Sequence, residues 1–167
     1  MITGAGRGIG AAIALAFARE GAAVALAELD IDTARATAER IASEVSGARV
    51  CAVYTDVTQS VSVKDAVAQT EARFGPLDAL VNNAGINVFC DSLTMTDDDW
   101  KRCFAVDLDG VWNGCRAVLP GMVERGRGCI VNIASTHSFK IIPGYFPYPV
   151  AKHGVIGLTR AWHRVRA

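Results

Sequence analysis

Four glycines alternate within the run Thr3-Gly4-Ala5-Gly6-Arg7-Gly8-Ile9-Gly10 at the front of the chain. Glycine alone turns the backbone freely into left-handed conformations and admits another group close to the main chain. The run therefore predicts a tight turn with an exposed backbone rather than a packed element. Ile9, Ile13 and Phe17 then recur at a spacing of four, which predicts one face of a helix opening from the turn. Gly21 stands where a C′ glycine would end that helix.

Apolar runs and helical patterns alternate from there on. Ala22–Ala27, ending at Glu28, reads as a buried strand, and Asp32–Val45 as a helix. Val50–Tyr54 is a strand, and Val61–Phe74 a helix closed by Gly75-Pro76. Leu77–Val81 is a strand running into Asn82-Asn83-Ala84-Gly85. Asp97-Asp98-Asp99 sets negative charge at a helix start, where the helix dipole favours it. That helix is expected to run toward Leu119 and stop before Pro120, ahead of a strand at Cys129–Ile133 and a helix from Tyr148 through Thr159. This alternation predicts an α/β fold, a doubly wound parallel sheet with helices on both faces. The 167 residues suffice for one domain, 1–167, and contain no linker or repeat.

Composition narrows the partners. Seventeen basic and seventeen acidic residues balance, leaving no basic footprint for nucleic acid and no polybasic membrane signal. No apolar run approaches a membrane span, and no leader pattern opens the chain, so a cytoplasmic protein is expected. The five cysteines, Cys51, Cys90, Cys103, Cys115 and Cys129, are odd in number and lack CxxC spacing. That argues for reduced thiols and against disulfides or a metal site. A hydrophobic content of 51% suits buried parallel strands or an oligomer interface.

The glycine turn has a chemical reading. A helix opening from it presents free N–H groups and a positive dipole end to a pyrophosphate, and Gly6-x-Gly8-x-x-Ala11 satisfies the dinucleotide fingerprint. Eighteen residues after Gly10, Glu28 ends the next strand. A carboxylate there accepts from both ribose hydroxyls and repels a 2′-phosphate, favouring NAD over NADP. Arg7 pulls the other way, as a cation able to meet a phosphate, and Glu28 is weighted above it.

A second constellation lies near the end. Tyr148-Pro149-Val150-Ala151-Lys152 sets a phenol and an ammonium four residues apart, on one face of a helix. An ordinary tyrosine titrates near ~10, and a nearby cation is expected to lower that value toward usefulness. Ser135, thirteen residues before Tyr148, follows a strand and is placed to hold a substrate oxygen near the phenol.

Together these residues resemble the short-chain dehydrogenase/reductase family in its classical form. The resemblance rests on TGAGRGIG at 3–10, Asp56-Val57, NNAG at 82–85, Ser135 and YPVAK at 148–152, and covers the chain to about Ala161. It implies a Rossmann-like sheet and a nicotinamide cofactor. Gly4, Arg7, Gly8, Ile9 and Gly10 would carry the pyrophosphate, Asp56 and Val57 would flank the adenine, and Asn83, Ala84 and Gly85 would line the cleft. Tyr148 would be the acid/base, Lys152 would bind the nicotinamide ribose and tune Tyr148, and Ser135 would orient the substrate. The resemblance further implies homo-oligomers, dimers or tetramers, through the helices at Asp97–Leu119 and Tyr148–Thr159.

The chain departs from the family in three places. Asp107 stands where relatives carry an asparagine in a water-linked relay to the lysine. An aspartate keeps the acceptors, adds a charge and loses the amide donor; if ionised, it would favour the Lys152 cation and weaken its pull on Tyr148. Only Met1 and Ile2 precede the glycine turn, so the central first strand is short. Relatives also continue past the Tyr148 helix into two more strands, a substrate-binding loop and helices. The sheet is thus expected to be incomplete, with Cys129–Ile133 as an exposed edge. The ending Ala161-Trp162-His163-Arg164-Val165-Arg166-Ala167 is what a two-base loss from G/C-rich codons of a family-like sequence would yield, and a frameshift is the expectation that follows.

The functional expectation is NAD-linked interconversion of a secondary alcohol and a ketone. An inactive remnant of such an enzyme, or a dinucleotide-binding module without turnover, is the alternative. Between Ser135 and Tyr148, His137 and Lys140 would suit a sugar- or hydroxyacid-like substrate, although an ordinary loop accounts for them equally.

Overall fold

The computed structural model describes residues 1–163. The Arg164-Val165-Arg166-Ala167 stretch on which the frameshift expectation partly rests lies outside the described residues. In chain order the elements are β1 (Ile2–Thr3), α1 (Gly8–Arg19), β2 (Val24–Glu28), α2 (Ile31–Glu44), β3 (Val50–Tyr54), α3 (Ser60–Phe74), β4 (Ala79–Asn82), β5 (Phe89–Cys90) and α4 (Asp97–Phe104). A π-helical turn (Ala105–Asp109), α5 (Gly110–Glu124), β6 (Cys129–Asn132), a 3-10 turn (Thr136–Ser138), β7 (Phe146–Pro147) and α6 (Tyr148–His163) follow.

The main sheet runs β3-β2-β1-β4-β6, all parallel. Ile2 pairs with Leu26 on one side and Val81 on the other, so β1 is central, as the resemblance implies, and only two residues long, as the short front predicts. β6 is the edge, paired only with β4 among the described residues. Strand order reverses direction between β1 and β4, which opens a crevice at their carboxyl ends.

The pleat divides each strand between two cores. Ala25 and Ala27 of β2, with Leu80 of β4, meet Ala66 and Val67 of α3 and Val118 and Met122 of α5. Val24 and Leu26 of β2, with Val81, face the opposite side and meet Ala14 and Ala18 of α1 and Ala34 and Ile41 of α2. Both faces are therefore covered, and the strands read as continuous apolar runs rather than alternations.

The structure adds two features to the sequence reading and corrects one expectation. The Ile9, Ile13 and Phe17 face of α1 is split: Ile9 is 66% exposed and Phe17 39%, whereas Ile13 packs against the core. The fully buried positions of the helix are the small Gly10, Ala11, Ala14 and Ala18. Its end is as expected, with Gly21 at φ 81° and the Ala22 N–H donating to the Phe17 carbonyl at 3.1 Å. The helix begun at Asp97 does not stop at Pro120 but continues to Glu124. Pro120 lies on the exposed side of the helix, and the final turn past it is anchored by Met122, which is buried in the core. A two-stranded antiparallel pair, β5 with β7, joins Phe89 to Pro147 and Cys90 to Phe146; the sequence reading left both segments as loop.

Candidate active site

The glycine turn leaves β1 at the mouth of the crevice. Gly4 (φ 63°) and Gly8 (φ 57°) adopt left-handed conformations, which any other residue takes only with strain. A Cβ on Gly4 would lie 2.8 Å from Ala84 Cα, and one on Gly10 would lie 2.6 Å from Asn83 Nδ2. Gly4 and Gly10 thus let the turn press against the end of β4. Gly8 has open space before it. Arg7 occupies the N-cap of α1 without a capping bond, so the first-turn N–H groups of α1 have no side-chain cap. An uncapped helix start behind a bare glycine turn fits a pyrophosphate.

Glu28 reaches this turn from the end of β2. Its Oε2 accepts the Gly6 N–H at 3.0 Å and its Oε1 accepts the Leu29 N–H at 2.9 Å. Thr37 Oγ1 donates to the Gly6 carbonyl at 2.6 Å, so the Gly6 residue is held at both its polar groups. Asp30 caps α2, accepting from the Asp32 and Thr33 N–H groups. Hydrogen bonds from Thr33 hold its carboxyl below the usual range, with a smaller pull from Arg7.

Asn83 fastens the end of β4 to the turn. Its Nδ2 donates to the carbonyls of Thr3 and Gly4, each at 3.0 Å. Thr3 Oγ1 in turn accepts the N–H groups of Asn83 and Ala84 at 3.0 and 3.1 Å. Asn83 therefore acts on the protein's own backbone, while Ala84 and Gly85 line the crevice. On the β3 side, Asp56 Oδ1 accepts from the N–H and the hydroxyl of Thr58 at 2.9 and 2.7 Å. The Val57 carbonyl accepts from Asn113 Nδ2 of α5 at 2.9 Å. The contributions of Thr3 and Asn113 went unread in the sequence, because each bonds to a segment far away along the chain.

Gly85 is the hinge between the two halves of the site. A Cβ there would lie 2.8 Å from Asp107 Oδ1 and 3.4 Å from Lys152 Nζ, so no side chain separates the β4 loop from the lysine. Lys152 Nζ stands 3.3 Å from Asp107 Oδ1, with side-chain exposures of 4% and 0%, and donates to the Ile133 carbonyl at 3.2 Å. Asp107 also accepts the Ile86 N–H at 3.3 Å and lies 3.8 Å from Cys103 Sγ. Burial pushes its carboxyl above the ordinary range against the opposing pull of Lys152. Burial and then the Asp107 charge push the Cys103 thiol up to about 12, so Cys103 is a neutral neighbour. The π-helical turn around Asp107, like many such insertions at functional sites, is a local irregularity with no signal in the sequence.

Tyr148 and Lys152 share one face of α6, with Nζ 5.5 Å from the phenol ring centroid. The phenol is half-buried. Desolvation raises its pKa above the ordinary tyrosine value; a hydrogen bond with Ser135 lowers it, and the charge of Asp107 raises it. The expected downward shift is therefore reversed: the lysine cation is engaged by Asp107, and desolvation prevails. Ser135 is oriented by accepting the His137 N–H at 3.1 Å. His137 and Lys140 do not reach in as polar arms. The His137 ring stacks on Tyr145 at 4.5 Å and 17°, and Lys140 is exposed.

The sheet, its switch-point crevice, the glycine turn and the tyrosine–lysine helix define a protein of the doubly wound dinucleotide-fold class. The chain belongs to the short-chain dehydrogenase family, whose model matches residues 1–166. It is 38% identical over 161 residues to meso-2,3-butanediol dehydrogenase of Serratia marcescens, a match covering 96% of this chain and 62% of the relative. The structure superposes on levodione reductase with a TM-score of 0.92 and 34% identity, over 96% of this chain and 63% of the other. On gluconate 5-dehydrogenase of Burkholderia cenocepacia, solved with NADP and tartrate, the TM-score is 0.88 and the identity 38%, over 96% and 62%. The chain thus spans somewhat under two thirds of the length of these relatives. Among the described residues no helix is long and apolar enough to cross a membrane.

Proposed function

We propose that this chain carries the cofactor and proton-transfer half of an NAD-dependent oxidoreductase that interconverts a secondary alcohol and a ketone. The observation that carries the proposal is the continuous path of contacts from the glycine turn through Asn83 and Gly85 to Lys152 and Tyr148. One crevice therefore serves both a dinucleotide and a phenol. Gly4, Arg7, Gly8, Ile9 and Gly10 would hold the pyrophosphate, Asp56 and Val57 the adenine side, and Asn83, Ala84 and Gly85 the cleft floor. When bound, the nicotinamide supplies or accepts the hydride.

The protein's own residues handle the proton and the geometry. Tyr148 gives its phenolic proton to the carbonyl oxygen in reduction and takes one from the alcohol in oxidation. Ser135 holds the same oxygen, and Lys152 holds the ribose and the proton path behind Tyr148. Asp107 is a positioning residue, which fixes the ammonium of Lys152.

NAD is preferred to NADP on the strength of Glu28, whose carboxylate sits beside Gly6 where a 2′-phosphate would be repelled. A sugar- or hydroxyacid-like substrate has less support, since the His137 ring is stacked on Tyr145 and Lys140 is exposed. The same reading places the protein in the cytoplasm as a dimer or tetramer through α5 and α6. The partly exposed Trp112 and Val150 on those helices suit such contacts.

Titration with NADH, followed by nicotinamide fluorescence, tests binding, and turnover with secondary alcohols tests catalysis. Activity that disappears in Tyr148→Phe while NADH binding persists is the expected result. Binding without any turnover would make the chain a dinucleotide-binding module, and no binding at all would refute the proposal.

A further inference from the structure

Around Tyr148 the structure builds a circuit of rings that the family motifs do not describe. Phe89, from β5, lies 4.2 Å from Tyr145 and 5.8 Å edge-on from Tyr148 at 86°. His137, from the 3-10 turn, stacks on Tyr145 at 4.5 Å and meets Tyr148 edge-on at 6.1 Å and 81°. Phe89, far away in sequence, thus joins His137 and Tyr145 of the segment just before Tyr148 at the phenol, and the antiparallel pairing of β5 with β7 holds Phe89 there. Ring separations this short leave no space inside the circuit, so it acts as a platform rather than a cage. Phe89 is 44% exposed, and its ring lies beside the phenol that would move the proton.

The ring faces of this platform are apolar. Among the described residues His137 Nδ1 is buried without a hydrogen-bond partner, and the imidazole meets Tyr145 through its stacked face. The loop that follows continues in the same character, with Phe139 78%, Ile141 61% and Ile142 50% exposed. At the phenol the Ser135 and Tyr148 hydroxyls, which share a hydrogen bond, suffice for one carbonyl or carbinol oxygen; the Tyr145 hydroxyl and the His137 imidazole are the other polar groups of the circuit. A chain of hydroxyls laid on ring faces would lose its water without gaining partners, whereas a flat or cyclic hydrocarbon group would stack on Phe89.

We infer that Phe89 is a specificity-determining residue and that the substrate class is a ketone or secondary alcohol whose reacting carbon carries, or lies within, an apolar ring. This inference rests on the proposed oxidoreductase reading and narrows it. The test is a comparison of kcat/KM for 1-phenylethanol, cyclohexanol, 2-butanol and an open-chain sugar acid with NAD. It is joined by saturation-transfer NMR of acetophenone binding without cofactor. The ring alcohols should exceed the sugar acid. Phe89→Ala should lower kcat/KM for 1-phenylethanol by about three- to tenfold and that for 2-butanol less than the ring substrate. Phe89→Leu, which keeps the bulk at β5 and guards against misfolding of the Ala variant, should show a smaller loss in the same order. A sugar acid turned over as well as or better than the ring alcohols would overturn the inference while leaving the oxidoreductase reading intact. No turnover of any alcohol, with acetophenone binding that weakens in both Phe89 variants, would support the platform and sink the oxidoreductase reading. Unchanged acetophenone binding in both variants, or none in the unaltered protein, would overturn the platform.

Discussion

Lys152 Nζ lies 3.3 Å from Asp107 Oδ1, with both side chains closed to solvent. The ammonium that stands behind Tyr148 is therefore already partnered by a carboxylate. An interior pair of this kind is sustained by mutual attraction and hydrogen bonds against a desolvation penalty on each ion. Its charge balance decides how strongly the lysine acts on the phenol.

Asp107→Asn should shift the pH dependence of alcohol oxidation. Oxidation needs the phenolate, and Tyr148 is held above the ordinary tyrosine value by burial and, in part, by the Asp107 charge. In the unaltered protein the oxidation rate should still be climbing at the alkaline end of the accessible range. Removing the negative charge should move that rising limb to lower pH, whereas a purely structural role would lower the plateau and leave the limb in place. A pH series of kcat/KM for oxidation decides between them.

Lys152→Met should destabilise the fold by about 3–5 kcal/mol at neutral pH, because it strands the Asp107 carboxylate in the interior. The sign of the pH dependence follows from Asp107, whose folded-state pKa is raised by burial. Such a group contributes stability below its ordinary value and loses that contribution as pH rises through the folded one. The gap between variant and parent should therefore narrow toward acid, where a protonated Asp107 needs no counter-ion. Urea midpoints at neutral and acid pH measure it, and a gap that widens toward acid would contradict the buried pair.

Tyr148→Phe should lower turnover by about 10²–10⁴-fold, the usual range for loss of a positioned proton-transfer group. Its ring contacts with Phe89 and His137 survive the change, so the thermal midpoint should move little. Parallel melting curves and initial rates check both halves of the statement.

Gly10→Ala should be more damaging than Gly8→Ala, although Gly8 has the unusual φ of 57°. At Gly8 the cost is backbone strain of about 1–2 kcal/mol, since a Cβ there meets nothing within 4 Å. At Gly10 a Cβ would come within 2.6 Å of Asn83 Nδ2 and 2.9 Å of Ala5 Cα, parting the turn from β4 at about 1–3 kcal/mol. Urea denaturation and NADH titration of the two variants should rank them in that order.

Glu28→Ser should raise the affinity for NADP relative to NAD by roughly tenfold or more, equivalent to about 1.4 kcal/mol or above, once the carboxylate opposite the 2′-phosphate is gone. Glu28→Gln should retain an acceptor for the Gly6 N–H, which Oε2 now bonds at 3.0 Å. If both variants lose NAD and NADP equally, Glu28 serves the turn alone. Competitive titration of the two reduced cofactors separates these cases.

Much of the site was legible because its residues announce themselves over short distances. A glycine turn, a carboxylate closing the next strand and a phenol one helical turn from an ammonium are local patterns, and backbone geometry makes them mean the same thing in any chain. The strand–helix alternation likewise sufficed for a parallel sheet, while the central place of β1 and the edge place of β6 came only with the family resemblance. What folding alone decided is non-local. Asp107 could be read as a substitution, but its closeness to Lys152, and the reversal of the expected shift at Tyr148, depend on burial that spans two helices and a π-helical turn. The same holds for Ile9 and Phe17, whose helical spacing was plain while their exposure depends on how α1 is set against the sheet. Phe89, His137 and Tyr145 carry no common motif; β5 and β7 bring them together through hydrogen bonds between segments nearly sixty residues apart. Sequence determines which groups are available and which way each local element turns them. Desolvation and contact between distant elements set their charge and reach, and these exist only once the chain has packed.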